Sequence, residues 1–288
     1  MKITVPATSA NLGCGFDSVG FAVNLYLELD VLGPSREWAI AHDLGAHIPQ
    51  DATNIIISTA LSIAPNIPPH SIKMTSAIPQ TGGLGSSSSA LVAGIMLASA
   101  LGGAQLSSHE KLQLACKLEG HADNVAPAIL GGLVISTYSN GSLEYIKAPM
   151  QNAGLVAYVP GYRLPTKLMR EILPQELPYD QAVLASSISN VMVASLVQGD
   201  IQKAARLMEQ DMFHEKYRAK HIPELSEVRE IARKHGAYGT YLSGSGSAIM
   251  CIADESRVRE LAVALQARGD ARVLELELEA EGARVRPA

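Results

Sequence analysis

Cysteine is almost missing from this chain: Cys14, Cys116 and Cys251 are the three among 288 residues. Three scattered thiols build neither a disulfide framework nor a zinc cluster. They read as small buried apolar side chains in a protein of a reducing, cytoplasmic compartment. Positive charge is also short. Lys and Arg number 23 against 28 Asp and Glu, a net charge of -5, which argues against a nucleic-acid surface. Long apolar runs are missing too. The longest, residues 90–101, is shorter than a membrane span, and the opening Met1-Lys2-Ile3-Thr4-Val5-Pro6 has no secretory apolar stretch. The expectation is a soluble protein without membrane contact. What the chain does have is apolar mass. Hydrophobic residues are 47% and charged residues 18%, enough to fill one large domain or two ordinary ones.

The most informative stretch is Pro79-Gln80-Thr81-Gly82-Gly83-Leu84-Gly85-Ser86-Ser87-Ser88-Ser89-Ala90. Three glycines and four serines lead directly into an apolar helical run. Glycine lets the backbone curl and approach a ligand, because no Cβ intervenes. The first turn of a helix offers unpartnered N–H groups at the positive end of its dipole, an anion site suited to phosphate. Serine hydroxyls there can cap the helix or reach phosphate and metal. The stretch is not a Walker loop, since Ser86 rather than Lys follows Gly85, and it lacks the dinucleotide spacing G-x-G-x-x-G. A flexible Gly/Ser linker is the bland alternative; the buried helix that follows at once speaks against it.

Periodicity and breakers predict a strand over 3–5 ended by Pro6, loop over 7–20, and a strand over 21–32 to which 38–41 can pair. Helix 54–64, strand 71–76, helices to 101 and over 108–118, and a hairpin about Asn140-Gly141 follow. The character shifts after Met150. A strand over 155–159 precedes a short helix at 166–173, two helices broken at Gly199-Asp200, and a helix over 223–235. Strands at 239–243 and 248–253 then flank Gly244-Ser245-Gly246-Ser247, and helix 256–268 and strand 273–278 finish the chain. The pattern is α+β, in two domains, 1–150 and 151–288.

Three polar, glycine-bearing segments could form one pocket if they converge: residues 6–17, the Gly/Ser stretch, and residues 242–247. Beside them stands Glu119-Gly120-His121-Ala122-Asp123-Asn124, readable as a metal ligand with substrate-holding groups or as a helix end and polar turn. Arg170 and Arg218 suit carboxylate recognition, though a lone Arg is more often an exposed helix charge. The residues around Arg218, namely His214, Glu215, Lys216 and Lys220, read as solvated surface. A serine hydrolase is disfavoured, because no G-x-S-x-G elbow appears.

In order and spacing, the three segments resemble the motifs of the GHMP small-molecule kinases. PQTGGLGSSSSA is similar to their phosphate loop, while PATSANLGCGFDSVG and EGHADNVAPAILGG resemble the homoserine kinase branch. Thr166-x-x-x-Arg170 and His214-Glu215-x-Tyr217-Arg218 point the same way. The resemblance covers residues 2–253. It implies an N-terminal mixed α/β domain bearing the phosphate loop at a helix N-terminus, and a ferredoxin-like α+β C-terminal domain. It implies ATP and Mg²⁺ as cofactors and L-homoserine as the acceptor, phosphorylated on its side-chain hydroxyl for threonine biosynthesis. By position, Pro79, Gln80, Thr81, Gly82, Gly83, Leu84, Gly85, Ser86, Ser87, Ser88 and Ser89 would cradle phosphates, with Asn54 near the nucleoside. Ser87 and Glu119 would hold the metal; Gln113 occupies the upstream position that many relatives use for that carboxylate. Asn11, Asp17 and Asp123 would hold the amine and hydroxyl end, and Thr166, Arg170 and Arg218 the carboxylate. Asn124 stands near the place where mevalonate kinase-like relatives put a general base, so catalysis by positioning through Asn11 and Asp123 is expected. A homodimer is typical of the resemblance. The alternatives are a kinase for another small alcohol, mevalonate-type or sugar, and a metabolite-binding homologue without turnover. Cys14 and Ser247 stand where proline is common in the family.

Overall fold

The structure is a computed structural model that describes all residues except Thr81, Ala104, Gln151, Asn152, Asp270 and Ala288. Two long strands, β1 (Lys2–Ala10) and β2 (Val19–Pro34), pair antiparallel from Lys2 opposite Asp30 to Ala10 opposite Gly20. Pro6 does not end the first strand. The register shifts between Pro6 and Ala7, and a bulge is where a residue without an N–H is tolerated inside a sheet. Residues 7–10, expected as loop, are therefore buried strand that carries Thr8 and Ser9 inward.

Next come β3 (Ala39–Ala41), α1 (Ile55–Ile63) and β4 (His70–Ser76). β3 lies parallel to β4 rather than beside β2, as expected, because β4 already occupies that stretch of β2. α2 (Ser86–Leu101) buries Leu91, Val92, Ile95 and Leu97 and packs on α1. α3 (Ser108–Glu119) starts with a Ser107/Glu110 capping box and stops at Gly120 in the left-handed region. The short α4 (Val125–Leu130) leads to the hairpin of β5 (Leu133–Ser139) and β6 (Ser142–Ala148). Asn140 and Gly141 both have positive φ at its turn, as a tight primed turn requires. β5 joins β2 along Val19 to Phe21.

The second sheet holds β7 (Gly154–Pro160). A run of helices follows: α5 (Thr166–Glu171), α6 (Tyr179–Gln198), α7 (Ile201–Met208), α8 (Glu215–Arg218) and α9 (Leu225–Lys234). β8 (Ala237–Leu242), β9 (Ile249–Ala253), α10 (Val258–Gln266) and β10 (Ala271–Leu276) complete it. Its antiparallel order, β10-β7-β9-β8, is the ferredoxin-like arrangement. The chain then crosses back: β11 (Arg284–Arg286) pairs with β1, and Tyr26 donates to Glu279. This returning tail has too few apolar residues to announce itself in the sequence.

One apolar cluster spans both sheets, taking in Leu29, Ile95, Leu155, Met192 and Met250; a smaller one, with Tyr158, Val228 and Leu261, lies on the far side of the second sheet. The three cysteines are buried and unpaired. α6 adds to the expectation about apolar stretches without overturning it. It is 20 residues long with a mean hydropathy of 1.2, long and apolar enough by length and composition alone to cross a membrane, although polar residues such as Asp180, Ser187 and Asn190 interrupt it and residues 90–101 remain the longest apolar run. Its Met192 and Leu196 are buried in this protein's own core.

Candidate active site

The three polar segments do converge, through backbone and hydroxyl contacts that leave no room for side chains. Thr8 donates its N–H to Leu84 O (3.2 Å), Gly244 to Ala10 O (3.0 Å), and Ala248 to Gly82 O (3.0 Å). A hydroxyl chain runs through the junction. Ser243 Oγ donates to Gly83 O at 2.7 Å, so its oxygen accepts from Ser9 Oγ at 2.7 Å, and Ser9 in turn accepts from Tyr241 at 2.7 Å. Gly83, at φ +70, lies so close to the third segment that a Cβ would sit 2.1 Å from Ser243 O; at Gly85, also φ +70, it would sit 2.1 Å from Thr8 Oγ1. A cavity of about 260 Å³ opens beside this junction.

One wall is the N-terminus of α2. Ser86 to Ser89 form its first turn rather than a loop. Ser89 N–H already donates to Gly85 O at 2.8 Å, which leaves the N–H groups of Ser86, Ser87 and Ser88 without an intrahelical partner at the dipole's positive end, where an anion is favoured. Ser88 Oγ donates to Glu119 Oε1 at 2.6 Å, which ties the end of α3 to that turn. Ser87 is exposed on the cavity. The acid segment follows: His121 Nδ1 contacts Asp123 Oδ1 at 2.5 Å, and Thr8 Oγ1 donates to Asn124 Oδ1 at 2.8 Å. Burial alone would lower the His121 pKa, but the Asp123 carboxylate raises it above its ordinary value. His121 also stands with Asp17 and Asp123 in a tight group of potential ligand atoms.

The opposite wall is cationic. Arg170 makes two 2.8 Å bonds to Asp17, one to each oxygen. Burial would raise the Asp17 pKa, yet the guanidinium holds it below the usual carboxylate value. Arg218 is 2% exposed. Its Nε donates to Met169 O and its Nη1 to Gly244 O, each at 3.0 Å, while Nη1 also reaches His214 Nδ1 at 3.1 Å. Burial, followed by the charge of Arg170, lowers its pKa to about 10, so it stays charged at neutral pH. Phe16 lies beneath both guanidiniums, 5.6 Å from Arg170 and 5.4 Å from Arg218.

Most of the sequence-derived site residues line this one cavity: Asn11, Asp17, Gln80, Gly82, Gly83, Gly85, Ser86, Ser87, Ser88, Glu119, Asp123, Asn124, Thr166, Arg170 and Arg218. Asn11 also braces the pocket, donating Nδ2 to Gly244 O at 2.8 Å and accepting from Asp17 N at 3.0 Å. Pro79, Leu84 and Ser89 do not line it; Leu84 is core, and Ser89 Oγ donates to Pro6 O. Thr81 lies outside the described residues. Asn54 is not in the lining either. Its amide caps α1, accepting from Ile56 N and donating to Pro49 O. The surface reading of the residues around Arg218 holds for Lys216 and Lys220, which are exposed, but not for the other two: His214 is fully buried and Glu215 is 5% exposed, joined to Arg229 at 2.7 Å. The sequence reading also left out Phe16 as a site residue. Its position between Gly15 and Asp17 was a usable signal, since an aromatic in a glycine-rich polar loop has few apolar neighbours to explain it.

Residues 54–132 match the GHMP kinases N terminal domain, and residues 192–271 match GHMP kinases C terminal. The homoserine kinase of Streptococcus gordonii is 49% identical over 99% of both chains, and that of Listeria welshimeri 48% identical over 99% of both. Among solved structures, the homoserine kinase of Cytophaga hutchinsonii superposes with a TM-score of 0.86 at 29% identity, covering 99% of this chain and 97% of that one. An L. major mevalonate kinase reaches a TM-score of 0.74 at 19% identity, covering 98% and 97%, a likeness of fold alone. With its convergent phosphate loop, its ferredoxin-like second sheet and this identity along the whole chain, the protein belongs to the homoserine kinase family of GHMP kinases.

Proposed function

We propose that this protein transfers the γ-phosphoryl group of ATP to the side-chain hydroxyl of L-homoserine, giving O-phospho-L-homoserine and ADP. The observation that carries this reading is a single cavity with two unlike walls: a helix N-terminus rich in free N–H groups, and a wall with two arginines and Asp17. The first suits a polyphosphate. The second suits a zwitterion, with a carboxylate for Arg170 and Arg218 and an ammonium for Asp17. A sugar or mevalonate carries no ammonium to meet Asp17.

Residues 82–88 hold the phosphates through backbone N–H groups and hydroxyls. The oxygen donors of Glu119, Ser87 and Ser88 fit a hard divalent cation such as Mg²⁺, which neutralises phosphate charge when bound. Asp123, oriented by His121, and Asn11 hold the acceptor hydroxyl. Asn124 accepts from Thr8 at 2.8 Å, so it braces the site, and the acceptor's proton passes to the phosphoryl oxygens while Asp123 orients the hydroxyl. A loose phosphoryl-transfer transition state needs alignment and charge neutralisation above all, and this lining supplies both. The medium is cytoplasmic, where the buried thiols stay reduced.

The test is a coupled ADP-release assay with MgATP, comparing L-homoserine, mevalonate, L-serine, L-threonine and galactose. Strong turnover on L-homoserine alone is the expected result. Turnover on an uncharged alcohol would overturn the zwitterion assignment of the arginine wall. An Asp123→Asn variant that lost kcat while keeping homoserine affinity would make Asp123 a general base rather than an orienting group.

A further inference from the structure

His214 plays no part in the chemistry outlined above, yet it is wholly buried behind the arginine wall. Its ring has two polar partners. Nε2 lies 3.1 Å from Gly13 O, and Nδ1 lies 3.1 Å from Arg218 Nη1. A carbonyl only accepts and a guanidinium only donates. Nε2 must therefore carry the proton and Nδ1 must be bare, so the ring is neutral and its tautomer is dictated by its neighbours. Burial pushes its pKa down to about 4, in keeping with that state. The carboxylate nearest to it, Asp211, does not reverse this. Asp211 caps the start of α8, accepting from the N–H groups of Phe213, His214 and Glu215 at 2.6–2.9 Å, and its oxygen is 3.7 Å from Nε2. The ring itself stacks on Phe16 with centroids 5.2 Å apart.

We infer that His214 is a positioning residue for substrate-carboxylate recognition: as a neutral Nε2–H imidazole it accepts from Arg218 and is pinned by Gly13, setting the guanidinium's plane against the cavity. The inference rests on the proposed role of Arg218. Nε and Nη1 of Arg218 are fixed from three directions, by Met169 O, Gly244 O and His214. Arg218 lines the cavity, and among the described residues these bonds engage Nε and Nη1 and not Nη2. Only the histidine among these three fixed acceptors is a side chain, so it is the one that substitution can remove. Its other bond runs to the first polar segment, and Gly244 belongs to the third; the arginine is thus registered to both at once.

The test is steady-state kinetics on His214→Phe and His214→Asn with MgATP. Phe keeps the stack on Phe16 and deletes both ring nitrogens; Asn restores an acceptor near the Nδ1 position. His214→Phe should raise KM for L-homoserine about tenfold or more, with kcat and KM for ATP within about threefold. His214→Asn should recover most of that loss. The inhibition constant of 3-aminopropan-1-ol, which is homoserine without its carboxylate, should not move. A purely structural role predicts instead that both ligands weaken alike and that Asn fails to rescue, and this result overturns the inference. Should His214→Phe not fold, ¹⁵N spectra of the wild-type imidazole decide: a bare Nδ1 near neutral pH supports the assignment, and a protonated Nδ1 refutes it. Arg218→Met separates the two levels. If it leaves KM for homoserine unchanged, the carboxylate role of Arg218 fails and takes this inference with it. If it raises KM while His214→Phe does not, only the histidine link fails.

Discussion

The two walls of the cavity attract negative charge by opposite means. The α2 wall uses the main chain: Gly83 and Gly85 hold positive φ where a Cβ would strike Ser243 and Thr8, and the start of α2 offers N–H groups without intrahelical partners. The opposite wall uses side chains from separate helices, Arg170 on α5 and Arg218 on α8, fixed by carbonyls, a carboxylate and a histidine. A backbone site cannot be adjusted without moving the chain, which suits a polyphosphate common to many reactions. A side-chain site can be changed one residue at a time, which suits the acceptor that differs between related kinases. Substitutions on the first wall should therefore damage fold and turnover together, and substitutions on the second should act mainly on acceptor affinity.

The sharpest way to break this contrast is Gly83→Ala. The new Cβ would stand 2.1 Å from a backbone oxygen at φ +70. Left-handed strain alone costs about 1–2 kcal/mol, and the clash separates two of the converging segments. Loss of kcat/KM by more than about 100-fold, with a lower melting temperature, is expected; full activity would mean that the junction is looser than its contacts indicate. Arg218→Met comes next. Loss of a charge-assisted contact to a carboxylate is worth about 2–3 kcal/mol, so KM for homoserine should rise roughly 30–100-fold with KM for ATP little changed. Arg170→Met should do less, about tenfold, because Arg170 is half exposed and already spends both Nη groups on Asp17. If Arg170→Met proved worse than Arg218→Met, the buried arginine would be structural and the exposed one the main ligand.

The same division decides how much could be read from the sequence. The α2 wall was legible, because glycine and serine spacing before an apolar helix has a direct backbone meaning. Its surprise was local: the serines are the helix's first turn, since Gly85 caps it. Arg170 and Arg218 were legible only through family resemblance; as lone helix charges they look like surface. His214 and Glu215 were misread, because burial of a polar segment depends on what the distant residues 13 and 242 present to it. Pro6 misled for a similar reason. A bulge that accommodates proline is a property of the paired strand β2, invisible in β1 alone. The crossing tail, residues 277–286, escaped because three-residue pairing at β11 needs no apolar alternation.

Two smaller effects probe the α2 wall from its side-chain margin. Ser88→Ala removes the 2.6 Å bond to Glu119 and frees that carboxylate to drift, a loss of about 1 kcal/mol. A several-fold rise in KM for MgATP with homoserine affinity intact is expected; an effect on homoserine instead would assign Glu119 to the other wall. The mildest is a pH effect at His121. Its folded pKa lies above the ordinary 6.5, since Asp123 outweighs burial. A raised value means that the folded state holds the proton more tightly, so this stabilisation is complete below pH 6.5 and fades as pH climbs through the folded pKa. The melting temperature of wild type should therefore exceed that of His121→Asn most near about pH 6, and the gap should narrow toward about pH 9. A gap that widened with pH would mean that the ring enters the fold uncharged, and that Asp123 faces the acceptor hydroxyl without a cation beside it.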